Sequence, residues 1–395
     1  MTRPGASRGS KESFVPFFVP FTDAEEVREV TDAIRSGWLT TGPKVRLLEG
    51  RIRRIVGARH AVAVNSCTAA MHLALAVSGV SRGDEVITSP YTFAGTGEAI
   101  LYLGAKPVFA DIDPRTLNID PLAVERATTR RTRVLLPVHI AGLPCDLKAL
   151  RIIARKRGLR IVEDAAHALG AAIGGRPLGT MSEVTCFSFY ATKNLTTGEG
   201  GMATTDDARL AQRLRRLSLH GLTHDAWKRY TRSGSWRYDV VELGYKYNMT
   251  DLAAGLGLAQ FRKFRAMQRQ RERLAHRYTR MLQDQEPFDL PAEIPGTRHA
   301  WHLYILRLRA GMLRVSRDQV IEILRRWGIG TSVHFQPLHL FSFYRRTFGY
   351  RQGDYPRTEM ESARALSLPL YPGLSTRSQD RVIEALRDLA RRFRR

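Results

Sequence analysis

Lys193 closes the apolar run Val184 to Tyr190, inside Ser188-Phe189-Tyr190-Ala191-Thr192-Lys193-Asn194, and the glycine-rich turn Gly198-Glu199-Gly200-Gly201 follows it. An amine that attacks an aldehyde needs a sheltered place that weakens its hold on a proton, and the end of a buried strand offers one. Upstream lies Ile161-Val162-Glu163-Asp164-Ala165-Ala166-His167. A buried carboxylate at a strand end can pair with a protonated ring nitrogen and keep a pyridine cationic, ready to accept carbanion electrons. Asp164 is the candidate, and His167, about one helical turn on, can reach the same ring from the side. A third element, Asn65-Ser66-Cys67-Thr68-Ala69-Ala70, joins an apolar strand to a predicted helix. Free backbone N–H groups at a helix N-terminus stabilise a phosphate, and Thr68 adds a hydroxyl donor.

Each element also has a purely structural explanation. Lysines often leave a sheet for solvent. Asp164 can serve as a helix N-cap with His167 a satisfied core histidine, and Ser66 or Thr68 as an ordinary cap.

The elements that must position these residues follow from the hydrophobic pattern. From about Arg59 to Thr205, short β-branched runs alternate with helical stretches, the pattern of an α/β sheet covered by helices. Strands are predicted at Val62 to Val64, Val86 to Thr88, Pro107 to Phe109, Val134 to Leu136, Ile161 to Val162 and Val184 to Tyr190. Their continuous apolar character predicts a mostly parallel sheet. Beyond Thr250 comes a long Arg- and Gln-rich helical stretch, Ala253 to Gln283, that should bridge two domains. A strand at His302 to Leu308, a helix at Ser316 to Trp327 and the aromatic-rich run Val333 to Tyr350 suggest a smaller α+β domain. The expected division is a disordered basic N-terminus at 1–13, a large domain at 14–252 and a small C-terminal domain at 253–395.

The chain has 395 residues, 43% hydrophobic and 25% charged, which is an ordinary globular composition and excludes wholesale disorder. Cys67, Cys145 and Cys186 are far apart, so neither a disulfide framework nor a metal cluster is expected, and a reducing cytoplasm fits. His60 to Ser81 carries no charged residue and is long enough to span a bilayer, but Asn65-Ser66-Cys67-Thr68 would sit mid-span. A strand, a turn and a buried helix are predicted instead. The net charge of +24 could steer anions to the surface, or reflect no more than a solvated basic exterior.

Taken in order, the phosphate turn, the carboxylate and the lysine resemble the fold-type I enzymes that use pyridoxal 5'-phosphate (PLP). More closely, the chain resembles the DegT/DnrJ/EryC1/StrS family of sugar aminotransferases from about Phe17 to Leu386. The motifs that carry the likeness are Gly37-Trp38-Leu39-Thr40-Thr41-Gly42-Pro43, Asn65 to Ala70, Pro90-Tyr91-Thr92-Phe93, Glu163 to His167, Ser188 to Lys193, and Gly244-Tyr245-Lys246-Tyr247-Asn248-Met249.

The resemblance implies a fold-type I α/β architecture: a large domain with a mostly parallel mixed sheet covered by helices, plus a smaller C-terminal α+β domain. It implies that Lys193 holds the cofactor as a Schiff base and moves the proton between cofactor and substrate carbons. Asp164 would hold the ring nitrogen and His167 would sit by the ring's phenolic oxygen. Phe93 would stack on the ring, and Thr68 and Ser188 would bind the phosphate. Asn248 would reach the phosphate from a partner subunit, giving a homodimer with shared sites; Lys246 is the alternative contact. Where the family usually has glycine this chain has Cys67, and a thiol at that turn is expected to be acidified.

The implied reaction takes an amino group from an amino acid, usually glutamate, to a nucleotide-linked keto-sugar. Val333 to His339, with His334 facing substrate, and Ser367-Leu368-Pro369-Leu370 resemble members acting on UDP-linked 4-keto sugars. The rivals are a PLP-dependent sugar dehydratase of the same family, where histidine commonly replaces the lysine, and a non-catalytic regulatory or nucleic-acid-binding protein. Lys193 speaks against the first, and the lack of a nucleic-acid-binding signature against the second. No membrane association and no specific nucleic-acid partner are expected.

Overall fold

The computed structural model describes residues 14–223 and 238–395. The N-terminal stretch expected to be disordered lies outside the described residues.

A seven-stranded sheet carries the site. Its spatial order is His60–Val64, Gly201–Thr205, Val184–Ser188, Arg160–Asp164, Thr132–Leu136, Glu85–Thr88, Lys106–Phe109. The four pairings from Val184–Ser188 outward to Lys106–Phe109 are parallel. The two that flank Gly201–Thr205 are antiparallel. All six predicted strands are present, and Gly201–Thr205, of which the sequence marks only Gly201, as the end of a turn, is a seventh.

Successive side chains of a strand point to opposite faces, and the two hydrophobic clusters follow that alternation. Ala61, Ala63, Ile161 and Phe187 enter one cluster. Val62, Val64, Val162 and Cys186 enter the other. Both faces are thus covered, which accounts for runs that are apolar throughout rather than alternating. The uncharged stretch from His60 resolves into the strand His60–Val64 and the buried helix Cys67–Val77. Among the described residues, no helix is long and apolar enough to cross a membrane.

The helix Asp251–Leu282 starts from Thr250, whose side chain accepts from Ala253 N. It does join two cores. Ala254, Phe264 and Met267 pack with the large sheet, whereas Ala275, Tyr278 and Leu282 pack in a C-terminal cluster. That second cluster forms around an antiparallel sheet ordered Phe288–Asp289, Tyr304–Leu308, Ala365–Leu368, with the helices Arg317–Arg326 and Thr376–Arg392. Val15 packs there too and bridges to Ile329. The segment around Val15, which sequence position assigns to the large domain, thus packs with the C-terminal cluster.

Candidate active site

Lys193, Asp164 and His167 meet beyond the ends of two adjacent parallel strands, Val184–Ser188 and Arg160–Asp164. Ligands of open α/β sheets gather at such strand ends. Lys193 N donates to Tyr190 O at 2.9 Å, so a tight turn returns the lysine toward the sheet. Burial pushes its amine down to about 8, opposed by the nearby Cys67 and Asp164. About a tenth of the amine is therefore neutral at pH 7, far more than at its ordinary value.

Asp164 is 3% exposed. Its Oδ2 accepts from Thr96 Oγ1 at 2.7 Å and its Oδ1 from Ala166 N at 3.1 Å. Burial raises its carboxyl above the usual range, and these two donors, with Lys193, pull it back. No helix follows Asp164: residues 165–171 form turns, so its cap is a local turn and the helix-cap explanation fails.

His167 lies in that turn and not one helical turn along, as the sequence suggested. Its Nδ1 accepts from Ala141 N at 3.2 Å. Burial, and then the Lys193 charge, holds it well below its ordinary value, so the ring is neutral with its proton on Nε2. It stacks on Phe335 at 5.7 Å and lies 4.4 Å from His302.

At the phosphate turn, Ser66 caps the helix Cys67–Val77 by accepting from Ala69 N. Ser66 being the cap frees Thr68 for a ligand. Cys67 Sγ lies 3.6 Å from Cys186 O, and burial pushes its thiol well up. The expected acidified thiol is thus corrected: burial, with Asp164 and Cys186 nearby, raises it, and Lys193 only partly opposes this. Ser188 ends its strand, with Tyr190 N donating to its Oγ at 3.3 Å. Phe93 caps the helix Ala94–Leu101 and is 67% exposed, with its ring 6.4 Å from Phe335.

Backbone proximity makes the cradle. A Cβ on Gly201 would come within 2.4 Å of Ser66 C and 2.6 Å of Cys67 N, and one on Gly95 within 2.6 Å of Thr68 Oγ1. These glycines leave room for the helix terminus and Thr68 to converge on one anion. Together with an aimed carboxylate, an imidazole N–H and a partly neutral amine, the residues fit PLP.

Asn248 pairs with Val64 of the same chain, while its Nδ2 donates to Thr41 Oγ1 at 2.8 Å. The Gly37 to Pro43 and Gly244 to Met249 motifs are thereby joined, and Asp251 completes the joint by accepting from Gly42, Lys44 and Val45 N–H groups. The Lys246 side chain is exposed. His334 Nδ1 and Ser367 Oγ are 2.9 Å apart, which unites the two stretches associated with substrate. Both flank a cavity of about 250 Å³ lined by Phe17, Tyr190, Thr192, His302 and His334 among others. Burial holds His334 down at about 4, so its ring is neutral near neutral pH.

Sequence reasoning passed over Thr96, His302 and Phe335. Thr96 had a signal, since it lies three residues past the motif that ends at Phe93. Phe335 lay within the Val333 to His339 stretch associated with substrate, and His302 had no signal beyond opening a predicted strand. Among the described residues no group of side chains suits a metal ion.

The pattern of the DegT/DnrJ/EryC1/StrS aminotransferase family matches residues 20–387. The spore coat polysaccharide biosynthesis protein SpsC of Bacillus subtilis is 49% identical over 382 residues, 96% of this chain and 98% of that one. Among solved structures, the putative sugar aminotransferase Spr1654 from Streptococcus pneumoniae in its PMP-form is 35% identical, with a TM-score of 0.89 over 96% of this chain and 99% of that one. The same enzyme in its PLP-form gives 0.88. DesI, described in the presence of its TDP-sugar product, is 34% identical with a TM-score of 0.86, covering 97% of this chain and 94% of that one.

Proposed function

The chain belongs to the DegT/DnrJ/EryC1/StrS aminotransferase family, and from that premise we propose that it moves an amino group from glutamate to a UDP-linked 4-keto sugar. It is a PLP-dependent sugar aminotransferase acting on nucleotide sugars. The observation that carries the aminotransferase reading is the joint placement of Lys193, Asp164 and His167. The finer substrate rests on the likeness of Val333 to His339 and Ser367 to Leu370, which flank the cavity that His334 lines.

When bound, PLP supplies an aldehyde for the amino group and an electron-poor ring for the electrons left as a proton departs. Lys193 Nζ is the covalent anchor and, once released, takes the proton from the donor's α-carbon; its lowered proton affinity suits that task. In the second half it handles the same proton transfer in the opposite sense beside the sugar carbon. Asp164 would face the ring nitrogen as a carboxylate. His167 Nε2–H would donate to the ring oxygen. Thr68, Ser188 and the N–H groups at Cys67 would hold the phosphate, and Phe93 would cover the ring face.

Asn248 reaches the phosphate of a partner subunit in a homodimer. Leu39, Leu47 and Leu243 are exposed apolar side chains that such a contact would cover. The enzyme works in the cytoplasm, where nucleotide sugars and reduced cysteines coexist.

Purified protein, glutamate and candidate nucleotide keto-sugars should yield an amino-sugar nucleotide by mass spectrometry. A product that has lost a hydroxyl without gaining nitrogen would instead establish the dehydratase, and an unchanged sugar with every candidate the inert scaffold.

A further inference from the structure

Asp164 is the buried acid on which the proposed chemistry leans, yet burial raises its carboxyl above the usual range. Its surroundings hold the compensation. Thr96 lies in the helix Ala94–Leu101 at 1% exposure, and Thr92 just before that helix at 2%. Thr96 Oγ1 donates to Asp164 Oδ2 at 2.7 Å, and Thr92 Oγ1 lies 2.8 Å from Thr96 Oγ1. A hydroxyl has one hydrogen. With that of Thr96 committed to the carboxylate, the hydrogen between the two threonines must come from Thr92.

The chain of donors therefore runs Thr92 to Thr96 to Asp164, each bond polarising the next at a place buried from solvent. The neighbouring glycines fix it there. A Cβ on Gly95 would strike Thr68 Oγ1 at 2.6 Å, and one on Gly97 would meet the Tyr344 hydroxyl. The helix is thus seated closely enough for Thr96 to touch a residue far away in sequence.

The other groups that act on Asp164 come from three sides. Lys193 follows the strand Val184–Ser188, and His139, paired with Glu163 at 2.8 Å, follows the strand Thr132–Leu136. Cys67 and Cys186 also face it, and burial holds both thiols in their neutral form. Neither Lys193 nor His139 makes a direct bond to the carboxylate among the described residues. Thr96 and the Ala166 N–H do.

We propose that Thr96, itself oriented by Thr92, is a positioning residue that keeps Asp164 an ionised carboxylate aimed at the cofactor's ring nitrogen. The aim at the ring nitrogen rests on the function proposed above; the ionisation can be read without it. A role in packing alone would leave Asp164's titration where it is.

The test uses the protein freed of PLP. Infrared difference spectra across a pH series report the buried protonated carboxyl, assigned to Asp164 by its loss in Asp164→Asn. Thr96→Val keeps the shape and removes the hydroxyl. Its carboxyl should protonate roughly one pH unit higher than wild type, the size expected for losing a charge-assisted hydrogen bond. Thr92→Val should shift it the same way by less, and Thr96→Ser should return it to the wild-type position.

The dissociation constant for PLP, followed by equilibrium dialysis, should rise at a correspondingly higher pH in Thr96→Val as the medium is acidified. Wild-type titration in a folded Thr96→Val would overturn the proposal. Should that variant fail to fold, an unshifted Thr92→Val would overturn it equally. Because the titration needs neither sugar nor turnover, it stands even if the amino acceptor proves to be something else.

Discussion

The Ala141 N–H donates to His167 Nδ1 at 3.2 Å, and so decides which nitrogen of that ring carries the proton. Ala141 holds φ at +57°, an uncommon value for a residue with a side chain, and Gly142 follows at +99°. The backbone at this turn is bent to present a donor. With Nδ1 occupied and burial opposing a second proton, Nε2–H is the group His167 can offer.

His167→Gln retains an N–H donor and should keep more activity than His167→Phe. The expected loss in the phenylalanine variant is roughly 100-fold in kcat, typical for a removed donor in a dry site. The visible absorption of bound PLP should shift in His167→Phe. Equal activity and unchanged absorption in both variants would show that the ring contributes only packing.

Lys193 gives a prediction in pH. In the fold its amine titrates at about 8, against an ordinary 10.5. Below 8 the charged amine is disfavoured in the fold, which costs stability; the cost fades as pH rises from 8 to 10.5 and both states become neutral. Cofactor-free wild type should therefore gain on Lys193→Met in denaturant unfolding across that interval. The rate at which added PLP becomes covalently attached should rise with pH, with a midpoint near 8. A midpoint near 10.5 would place the amine in water.

Gly201 predicts a steric failure. Gly201→Ala sets a methyl against backbone atoms of Ser66 and Cys67, which have no flexible side chain to give way. The variant should lose about 1–3 kcal/mol of stability and bind PLP more weakly, measured by thermal unfolding and dialysis. Unchanged PLP affinity would mean that the phosphate sits elsewhere.

These residues also show where sequence reading reached and where it stopped. The strands ending at Asp164 and Ser188 are dense in β-branched and aromatic residues, and the chemistry at their ends follows from that placement. Gly201-Met202-Ala203-Thr204-Thr205 opens on the last glycine of a visible turn, and its two β-branched residues are both threonine. It is a strand because two neighbours supply its hydrogen bonds, which is a tertiary fact. The partnership of Thr96 with Asp164 depends on the order of strands in space. Cys67 looked acidic because a helix terminus is visible in sequence, while the burial that overrules it is not.

Asn248 predicts the subunit arrangement. If it serves a partner's phosphate, Asn248→Asp and Lys193→Ala should each be inactive, and heterodimers of the two should contain one site with both lesions and one with neither. Random reassembly should restore roughly a quarter of wild-type sites. Heterodimers confirmed by mass but without activity would return Asn248 to its own chain's phosphate turn, beside Val64.

The central claim is the transfer itself, and isotope tracing tests it most directly. Glutamate labelled with ¹⁵N at its amino group, incubated with the enzyme and a UDP-linked 4-keto sugar, should place the heavy nitrogen in the nucleotide sugar, with 2-oxoglutarate formed in equal amount. Lys193→Ala should abolish both. Labelled nitrogen that never leaves glutamate, in a protein that binds PLP through Lys193 and with every candidate sugar offered, would contradict the account.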